Sequence, residues 1–147
     1  PEPLSEDFTA DKLYEIIHAH SRQVKLLLLD QHIIAGLGNV YTDESLFQAK
    51  IHPQRQSDSL SEIESQMLYT AIRNTLTEGI LNFGASLDWI YRGGEFQNYF
   101  KVYQRKDQPC PVCGTKIKKI TVGQRGTHFC PNCQKPPSDS TPEESED

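Results

Sequence analysis

The sequence predicts a mainly α-helical domain followed by a small β-hairpin that carries four cysteines. Residues 11 to 82 contain four segments whose apolar patterns and capping residues are typical of helices. Residues 110 to 133 contain two Cys-x-x-Cys pairs, and the sixteen residues between them are enough chain for one hairpin. No apolar run approaches the roughly 18 residues that cross a bilayer, so we expect no membrane partner.

Two short helices are predicted first. Residues 11 to 20 carry an apolar stripe at helical spacing, and Thr9 is placed to cap their first turn. Residues 24 to 29 follow as a short helix that is apolar apart from Lys25, with Ser21 as its candidate cap. We expect almost every side chain of this second helix to be buried.

A glycine-rich turn precedes the third helix. Gly36 and Gly38 allow positive φ and a close approach of the backbone, and Asn39 is a suitable N-cap for a helix over residues 40 to 49. The same turn exposes backbone amides at a positive helix end, which suits a phosphate group. The pattern is short enough to be a plain turn, so both interpretations stay open on these residues alone.

The longest predicted helix spans residues 60 to 82. Ser61 and Glu64 form a capping box at its start, and Gly84 is a candidate C-terminal stop. We expect its apolar stripe, Met67 included, to be core rather than a cofactor site. The stripe consists of Ile63, Met67, Ala71, Ile72, Leu76 and Ile80.

The four cysteines predict one closed metal site. Each Cys-x-x-Cys pair places two sulfurs on a tight turn, and four sulfurs complete the tetrahedron of one structural Zn²⁺. Such a site leaves no open coordination position, so its role is to hold the hairpin and not to catalyse. Disulfide pairing is the alternative, and His128 is a spare ligand that is better placed in a strand or on the surface. The predicted ligands are Cys110, Cys113, Cys130 and Cys133.

Charge is distributed unevenly along the chain. The formal net charge is −5, yet residues 101 to 135 carry eight Lys or Arg against one acidic residue. Residues 1 to 100 carry seven basic and fourteen acidic residues, and residues 136 to 147 carry five acidic residues and no basic one. A polyanion responds to the local field within about 8 Å at physiological salt, so the basic segment predicts nucleic-acid contact. A solvated basic hairpin is the plainer alternative.

Two motifs follow one another in a definite order. The first, within residues 30 to 53, reads Asp-Gln, then Ile-Ala-Gly-Leu-Gly-Asn-Val-Tyr, Asp-Glu-Ser-Leu-Phe and Ile-His-Pro. The second, within residues 102 to 131, contains Val-Tyr-x-Arg, the first cysteine pair and Gln-Arg-Gly-Thr-His-Phe-Cys-Pro. In this order and spacing they resemble the helix-two-turn-helix segment and the zinc finger in the C-terminal half of bacterial formamidopyrimidine-DNA glycosylase.

The resemblance implies a base-excision repair DNA glycosylase with apurinic-site lyase activity. That family extrudes an oxidised purine, cuts its glycosidic bond and breaks the strand through a Schiff base on an N-terminal proline. This chain begins Pro1-Glu2, but it continues with a sequence that resembles the family's interdomain linker, so no catalytic residue is expected in it. The implied parts are a linker from a missing N-terminal catalytic domain (1–8), a helix-two-turn-helix DNA-binding domain (9–98), a zinc finger (99–135) and a disordered acidic tail (136–147).

The resemblance also assigns DNA contacts. Phosphate contacts fall on Lys25, on Asn39 in the turn that contains Gly38, and on Arg125 in the hairpin. Taken alone, Lys25 could equally be a surface lysine whose stem covers apolar residues.

The lesion-recognition loop of the family corresponds to residues 84 to 97. Gly93, Gly94 and Phe96 keep its glycine and aromatic character. The loop is shorter than usual, and Gln104 stands where the family commonly has glycine, which leaves the preferred lesion open.

The expected partner is therefore double-stranded DNA that contains oxidised bases or abasic sites. We expect a monomer in the bacterial cytosol or nucleoid. Two other classes stay open. A non-enzymatic zinc-ribbon nucleic-acid-binding module explains the basic hairpin, and a protein-interaction scaffold explains the acidic helical domain and tail.

We expect the chain to bind an abasic duplex without forming a covalent adduct that borohydride can trap. A Schiff-base nucleophile needs an unprotonated amine in a folded pocket, and a loose octapeptide at Pro1 supplies none. Borohydride treatment of the labelled complex followed by a denaturing gel measures this. A trapped adduct that disappears when Pro1 is changed contradicts the expectation.

Overall fold

The computed structural model describes residues 2 to 83, without the side chains of residues 80 to 83, and residues 100 to 136. These residues form a helical domain followed by a β-hairpin, which confirms the predicted fold class. Among them, no helix is long and apolar enough to cross a membrane. The elements are α1 (Ala10–His18), α2 (Val24–Leu29), α3 (Asn39–Ala49), a 3₁₀ turn (Ser57–Ser59), α4 (Glu62–Phe83), β1 (Lys118–Val122) and β2 (Arg125–Phe129).

Side-chain caps fix the start of α1 and of α4. Thr9 Oγ1 accepts the Lys12 amide at 3.1 Å, which confirms the predicted cap of α1. At α4, the Glu64 amide donates to Ser61 Oγ at 3.1 Å, and Glu64 Oε1 accepts the Ser61 amide at 2.9 Å. The predicted capping box is therefore confirmed. α1 ends at His18, slightly earlier than predicted.

α2 begins without the cap that the sequence suggested. The Ser21 hydroxyl donates to Asp58 Oδ2 at 2.6 Å, and Gln23 precedes α2 without a side-chain cap. The Val24 amide donates instead to the Arg55 carbonyl at 2.7 Å. A six-residue helix is too short to persist alone, so bonds from the neighbouring chain hold it in place.

α4 packs against α1 and α3 around one apolar core. The buried side chains of its first turns differ from those predicted. Ile63 is 70% exposed and Met67 is 40% exposed, so neither is a core residue. The buried face of these turns passes through Ser65 and Leu68 instead. The side chain of Ile80 and all of Gly84 lie outside the described part of the chain. The remaining members of the predicted stripe are buried: Ala71, Ile72 and Leu76.

The first residues pack onto α4 and are not the loose segment that we expected. Phe8 is buried, and its ring centroid lies 5.5 Å from that of Tyr69. The Tyr69 hydroxyl donates to the Phe8 carbonyl at 3.2 Å, and Arg73 Nη1 donates to the Pro3 carbonyl at 3.1 Å. The assignment of residues 1 to 8 as an interdomain linker stays a prediction.

β1 and β2 pair antiparallel and place Arg125 at the tip of the hairpin, opposite Val122. The two connecting residues, Gly123 and Gln124, have φ of 55° and 67°, which is typical of a type I′ turn. Leu26 of α2 packs against the apolar face of the hairpin, which therefore lies on the helical domain. That face consists of Ile120, Val122 and Phe129.

The chain around the cysteines packs on the C-terminal end of α3. Phe47 shares an apolar cluster with Val102 and with cysteine side chains. Gln134 Nε2 donates to the Ile51 carbonyl at 3.0 Å, and Gln134 Oε1 accepts the Cys130 amide at 2.8 Å. One buried amide side chain thus joins the second cysteine pair to the segment that follows α3.

His52 is buried at the same boundary. The Gln54 amide donates a hydrogen bond to His52 Nδ1 at 3.0 Å. The His52 ring meets the Phe129 ring edge-on, with 4.7 Å between centroids. Burial lowers the pKa of His52 to about 4, and the Arg55 guanidinium adds to this shift. His52 is therefore neutral in the folded chain at physiological pH.

We expect acid to destabilise the fold through His52. Its pKa is about 4 in the folded chain against an ordinary value of 6.5, so between these values the unfolded chain binds more protons. The stabilisation is complete above pH 6.5 and is lost as the pH falls toward 4, by at most about 1.4 kcal/mol per pH unit. Urea unfolding from pH 7 to pH 4 should show a steeper loss for the native chain than for His52→Asn. Parallel pH profiles would show that the ring contributes nothing.

Candidate zinc centre and nucleic-acid interface

Four cysteine sulfurs meet in one cluster, as the two Cys-x-x-Cys pairs predict. The sulfurs of Cys110, Cys113, Cys130 and Cys133 all lie within 4.8 Å of one another. Two of the distances are 3.9 Å, between Cys110 and Cys133, and 3.5 Å, between Cys113 and Cys130. A tetrahedron with Zn–S bonds of about 2.3 Å has edges of about 3.8 Å, whereas a disulfide bond measures about 2.05 Å. The geometry fits one structural Zn²⁺ and not disulfides.

The four sulfurs cannot all be ionised at neutral pH without a cation between them. Hydrogen bonds from Thr115 lower the pKa of Cys113 to about 5, whereas burial and the neighbouring sulfurs raise the pKa of Cys133 to about 12. Four thiolates at these distances repel one another unless a positive charge lies between them. Zn²⁺ supplies that charge and prefers a closed set of four sulfurs, so it stabilises the finger.

His128 is not part of the sulfur cluster. It lies in β2, as predicted, but it is buried and not on the surface. Its ring packs edge-on against Tyr103 at 5.2 Å between centroids, and its Nδ1 lies 3.5 Å from Asp43 Oδ2. The residue belongs to the contact between the hairpin and α3.

Glu44 of α3 holds the chain that enters the finger. Its buried carboxylate accepts the amides of Lys101, Val102 and Tyr103 at 2.8, 2.8 and 3.0 Å. Burial raises the pKa of Glu44 above its ordinary value, and the three amide donors oppose that shift. Since these bonds satisfy the carboxylate, Glu44 determines where the finger begins on α3.

Lys25 is fully buried between α2, α3 and β2. Its Nζ donates to Asp43 Oδ1 at 2.7 Å, to Thr127 Oγ1 at 2.7 Å and to the Gly126 carbonyl at 3.2 Å. Asp43 Oδ2 also accepts the His128 amide at 3.0 Å. Burial lowers the pKa of Lys25, and the Asp43 carboxylate opposes this shift. An ammonium has three N–H donors, and the Lys25 ammonium has three protein acceptors within hydrogen-bonding distance.

Asn39 connects the glycine turn to the same hairpin. Gly38 is the N-cap of α3 and Asn39 is its first residue, so the predicted capping role of Asn39 is wrong. Asn39 Nδ2 donates instead to the Gly126 carbonyl at 3.1 Å, which also accepts from Lys25. Gly126 follows Arg125 in the chain. The structure thus brings together Asn39 and Arg125, two of the residues predicted to contact DNA.

The N-terminus of α3 presents backbone amides on this side of the molecule. The Thr42 amide donates to the Gly38 carbonyl at 2.9 Å, so the amides of residues 39 to 41 come before the first internal bond of the helix. Gly38 is extended and a Cβ atom there would meet nothing within 4 Å, whereas Gly36, with φ of 86°, needs glycine for its backbone. With the exposed Arg125 alongside, this end of α3 is suited to an anion.

Lys25 lies in a different environment from the one expected. The sequence suggested either a phosphate contact or an exposed lysine, but the side chain is 0% exposed and paired with Asp43. Sequence could not show this pairing, because the two residues lie on different helices. A phosphate contact from Lys25 stays a prediction, and its Nζ already has three acceptors in the structure.

The predicted lesion-loop residues Gly93, Gly94 and Phe96 lie outside the described residues. Gln104, which follows that loop, has a φ of 57°. This left-handed backbone favours glycine, which explains why glycine is common there in the family that the sequence resembles.

Three residues that hold the finger in place were given no role from the sequence, although two of them belong to the first motif. They are Asp43, Glu44 and Gln134, all buried. A signal existed for the first two, because adjacent acidic residues inside an otherwise buried helix need internal partners. No local pattern indicates the role of Gln134.

A helical domain whose glycine-led helix end lies beside a zinc-stabilised basic hairpin defines a nucleic-acid-binding module. Residues 1 to 88 match the formamidopyrimidine-DNA glycosylase H2TH domain, and residues 107 to 136 match the zinc finger found in FPG and IleRS. The chain belongs to the formamidopyrimidine-DNA glycosylase family.

Similar proteins cover the chain almost completely. The formamidopyrimidine-DNA glycosylase of Cytobacillus firmus is 48% identical over 137 residues, which are 90% of this chain and 50% of that protein. The MutM (FPG) protein of Thermus thermophilus is 42% identical with a TM-score of 0.81, over 91% of this chain and 53% of its own. The chain therefore spans about half the length of the relatives it matches.

Two of the similar solved structures are complexes with DNA. The Lactococcus lactis glycosylase, bound noncovalently to DNA with an AP site, is 40% identical with a TM-score of 0.83, over 92% of this chain and 50% of its own. A MutM in complex with DNA that contains carbocyclic 8-oxo-G is also 40% identical, with a TM-score of 0.82 and the same coverage.

We expect removal of zinc to unfold the finger while much of the helical domain persists. The hairpin has two five-residue strands and small apolar clusters, whereas the helical domain has a core of its own. Chelation, or Cys130→Ser, should abolish the dispersed NMR signals of residues 116 to 130 and retain most helical circular dichroism. Retention of the hairpin signals without metal would contradict a structural zinc.

Proposed function

We propose that this chain is the DNA-binding portion of a base-excision repair DNA glycosylase and apurinic-site lyase that acts on oxidised purines. In this role it binds the phosphate backbone around an extruded lesion. The bond between Asn39 Nδ2 and the Gly126 carbonyl carries the proposal. It keeps the N-terminus of α3 beside Arg125, so two elements from distant parts of the chain can bind adjacent phosphates of one strand.

The distribution of charge supports binding through the finger. The basic segment from 101 to 135 is followed and preceded by acidic regions, so an approaching polyanion is attracted mainly to this segment. Lys116, Arg125 and Lys135 are exposed there. Contacts of this kind position a duplex without reading its sequence, which suits an enzyme that must examine many sequences for damage.

The relatives support the choice of DNA. Because similar proteins bind DNA with an AP site and DNA with carbocyclic 8-oxo-G, we extend this class of partner to the present chain. We further propose that it acts as a monomer in the bacterial cytosol, where reducing conditions keep four metal-binding cysteines as thiols or thiolates.

We expect Arg125→Ala to weaken binding to an abasic duplex roughly tenfold, because one charge-assisted phosphate contact is lost. The loss should be the same for every flanking sequence, and the slope of log K against log salt should fall by about 0.9. Fluorescence anisotropy with a labelled duplex, measured from low to physiological salt, gives both quantities. Unchanged affinity and slope would remove Arg125 from the interface.

Lys12→Ala is the matched control for this experiment. Lys12 is an exposed cation on α1, which packs on α4 and on the 3₁₀ turn. Its removal changes the net charge equally but should leave the slope unchanged. Equal affinity for abasic and unmodified duplexes in the native chain would favour the non-enzymatic zinc-ribbon alternative, and failure to bind either would favour the protein-interaction scaffold.

A further inference from the structure

The buried pair of Lys25 and Asp43 has no place among the phosphate contacts proposed above. Both side chains are 0% exposed and their charged atoms lie 2.7 Å apart. A buried ion pair loses so much hydration that apolar residues of similar volume often stabilise a protein as well or better. Simple stabilisation is therefore a weak explanation for this pair, and its partners indicate a more specific one.

We propose that Lys25 and Asp43 are positioning residues that fix the tip of the zinc hairpin against the N-terminus of α3, and that this role replaces the phosphate contact that the resemblance assigned to Lys25. This inference deepens the proposed function and rests on it. The ammonium lies where α2, α3 and β2 meet, and it donates to an acceptor on α3 and to two on β2. An ammonium has three donors and can therefore hold both elements at once.

A continuous chain of hydrogen bonds leads from this pair to the backbone of Arg125. Asp43 Oδ1 accepts from Lys25 Nζ, which also donates to Thr127 Oγ1 at 2.7 Å. The Thr127 hydroxyl in turn donates to the Arg125 carbonyl at 3.1 Å. The position of the Arg125 backbone is thus tied to α3 through buried groups alone.

A second connection converges on the same point. The Gly126 carbonyl accepts from Lys25 Nζ and from Asn39 Nδ2, so it shares donors from α2 and from the start of α3. Asp43 Oδ2 accepts the His128 amide, which fixes β2 two residues further along. Loss of the charged pair should therefore move the hairpin tip relative to Asn39 while the zinc cluster remains intact.

Thr127 offers the mildest test, because it is fully buried and cannot itself contact DNA. Thr127→Val keeps the shape of the side chain and removes both of its hydrogen bonds. We expect this variant to bind an abasic duplex roughly three- to tenfold more weakly than the native chain. Thr127→Ser restores the hydroxyl and should bind within about twofold of the native chain. Equal binding by the valine variant would overturn the inference.

A second experiment tests whether the pair acts through Arg125. Removal of one charge alone would leave the other buried without a partner. The variant is therefore the double replacement Lys25→Met and Asp43→Leu, which leaves no unpaired buried charge. In this background Arg125→Ala should cost less than about twofold in affinity, against roughly tenfold in the native chain, because the guanidinium is already displaced.

The outcomes separate the two proposals. A tenfold effect of Arg125→Ala in both backgrounds means that the hairpin tip does not depend on the pair, and the inference fails while the proposed function stands. A native chain that does not bind the abasic duplex at all overturns both. If the double variant does not fold, as judged by its melting curve with zinc present, the comparison of valine and serine at Thr127 decides.

Discussion

Attachment to α3 determines where the zinc-binding hairpin lies on the helical domain. Two five-residue strands are too small to form a stable hairpin in water without other support. Metal coordination holds one end of this hairpin, and Asp43 of α3 accepts the His128 amide of β2. Glu44 and Phe47 of α3 hold the chain that enters the finger. Because the tip is fixed to the same helix whose N-terminus lies beside it, the packing itself brings the helix amides and Arg125 to one side of the molecule.

Internal partners occupy both acidic residues of α3, which packs against the basic finger. Asp43 is neutralised by Lys25, and the Glu44 carboxylate is occupied by three backbone amides. Neither carboxylate is therefore directed at an approaching phosphate. The local field of the exposed finger cations thus keeps the sign that a polyanion requires.

Sequence was sufficient for features that are set by local chemistry. The capping box lies within four residues, Ser61 to Glu64, and each Cys-x-x-Cys pair also lies within four. The structure confirms the capping box and the cluster of four cysteines. Asn39 shows the limit of local reasoning. Its residue type suits a helix cap, but its side-chain amide donates to the Gly126 carbonyl of the distant hairpin instead. Periodicity likewise failed at Met67, which is 40% exposed, because the pattern within one helix does not show which neighbouring elements cover it.

The sequence named candidate residues of the site but did not show how they are arranged. Asn39 and Arg125 were identified from the two motifs, and their adjacency became visible only through Gly126. The burial of Lys25 could not be foreseen, since its counter-charge and its acceptors come from two other elements. Residues that contact a ligand often belong to recognisable motifs, whereas residues that position them are specified by tertiary contacts.

We propose that the start of α3 and the tip of the hairpin form one phosphate-binding surface. Titration of the isotope-labelled, zinc-loaded chain with an abasic duplex, followed by NMR of the backbone amides, measures whether they bind as one unit. If they do, the amides of Asn39, Val40 and Arg125 shift with one common midpoint, while those of α1 do not shift. Separate midpoints for the helix and the hairpin, or shifts centred on α1, would contradict it.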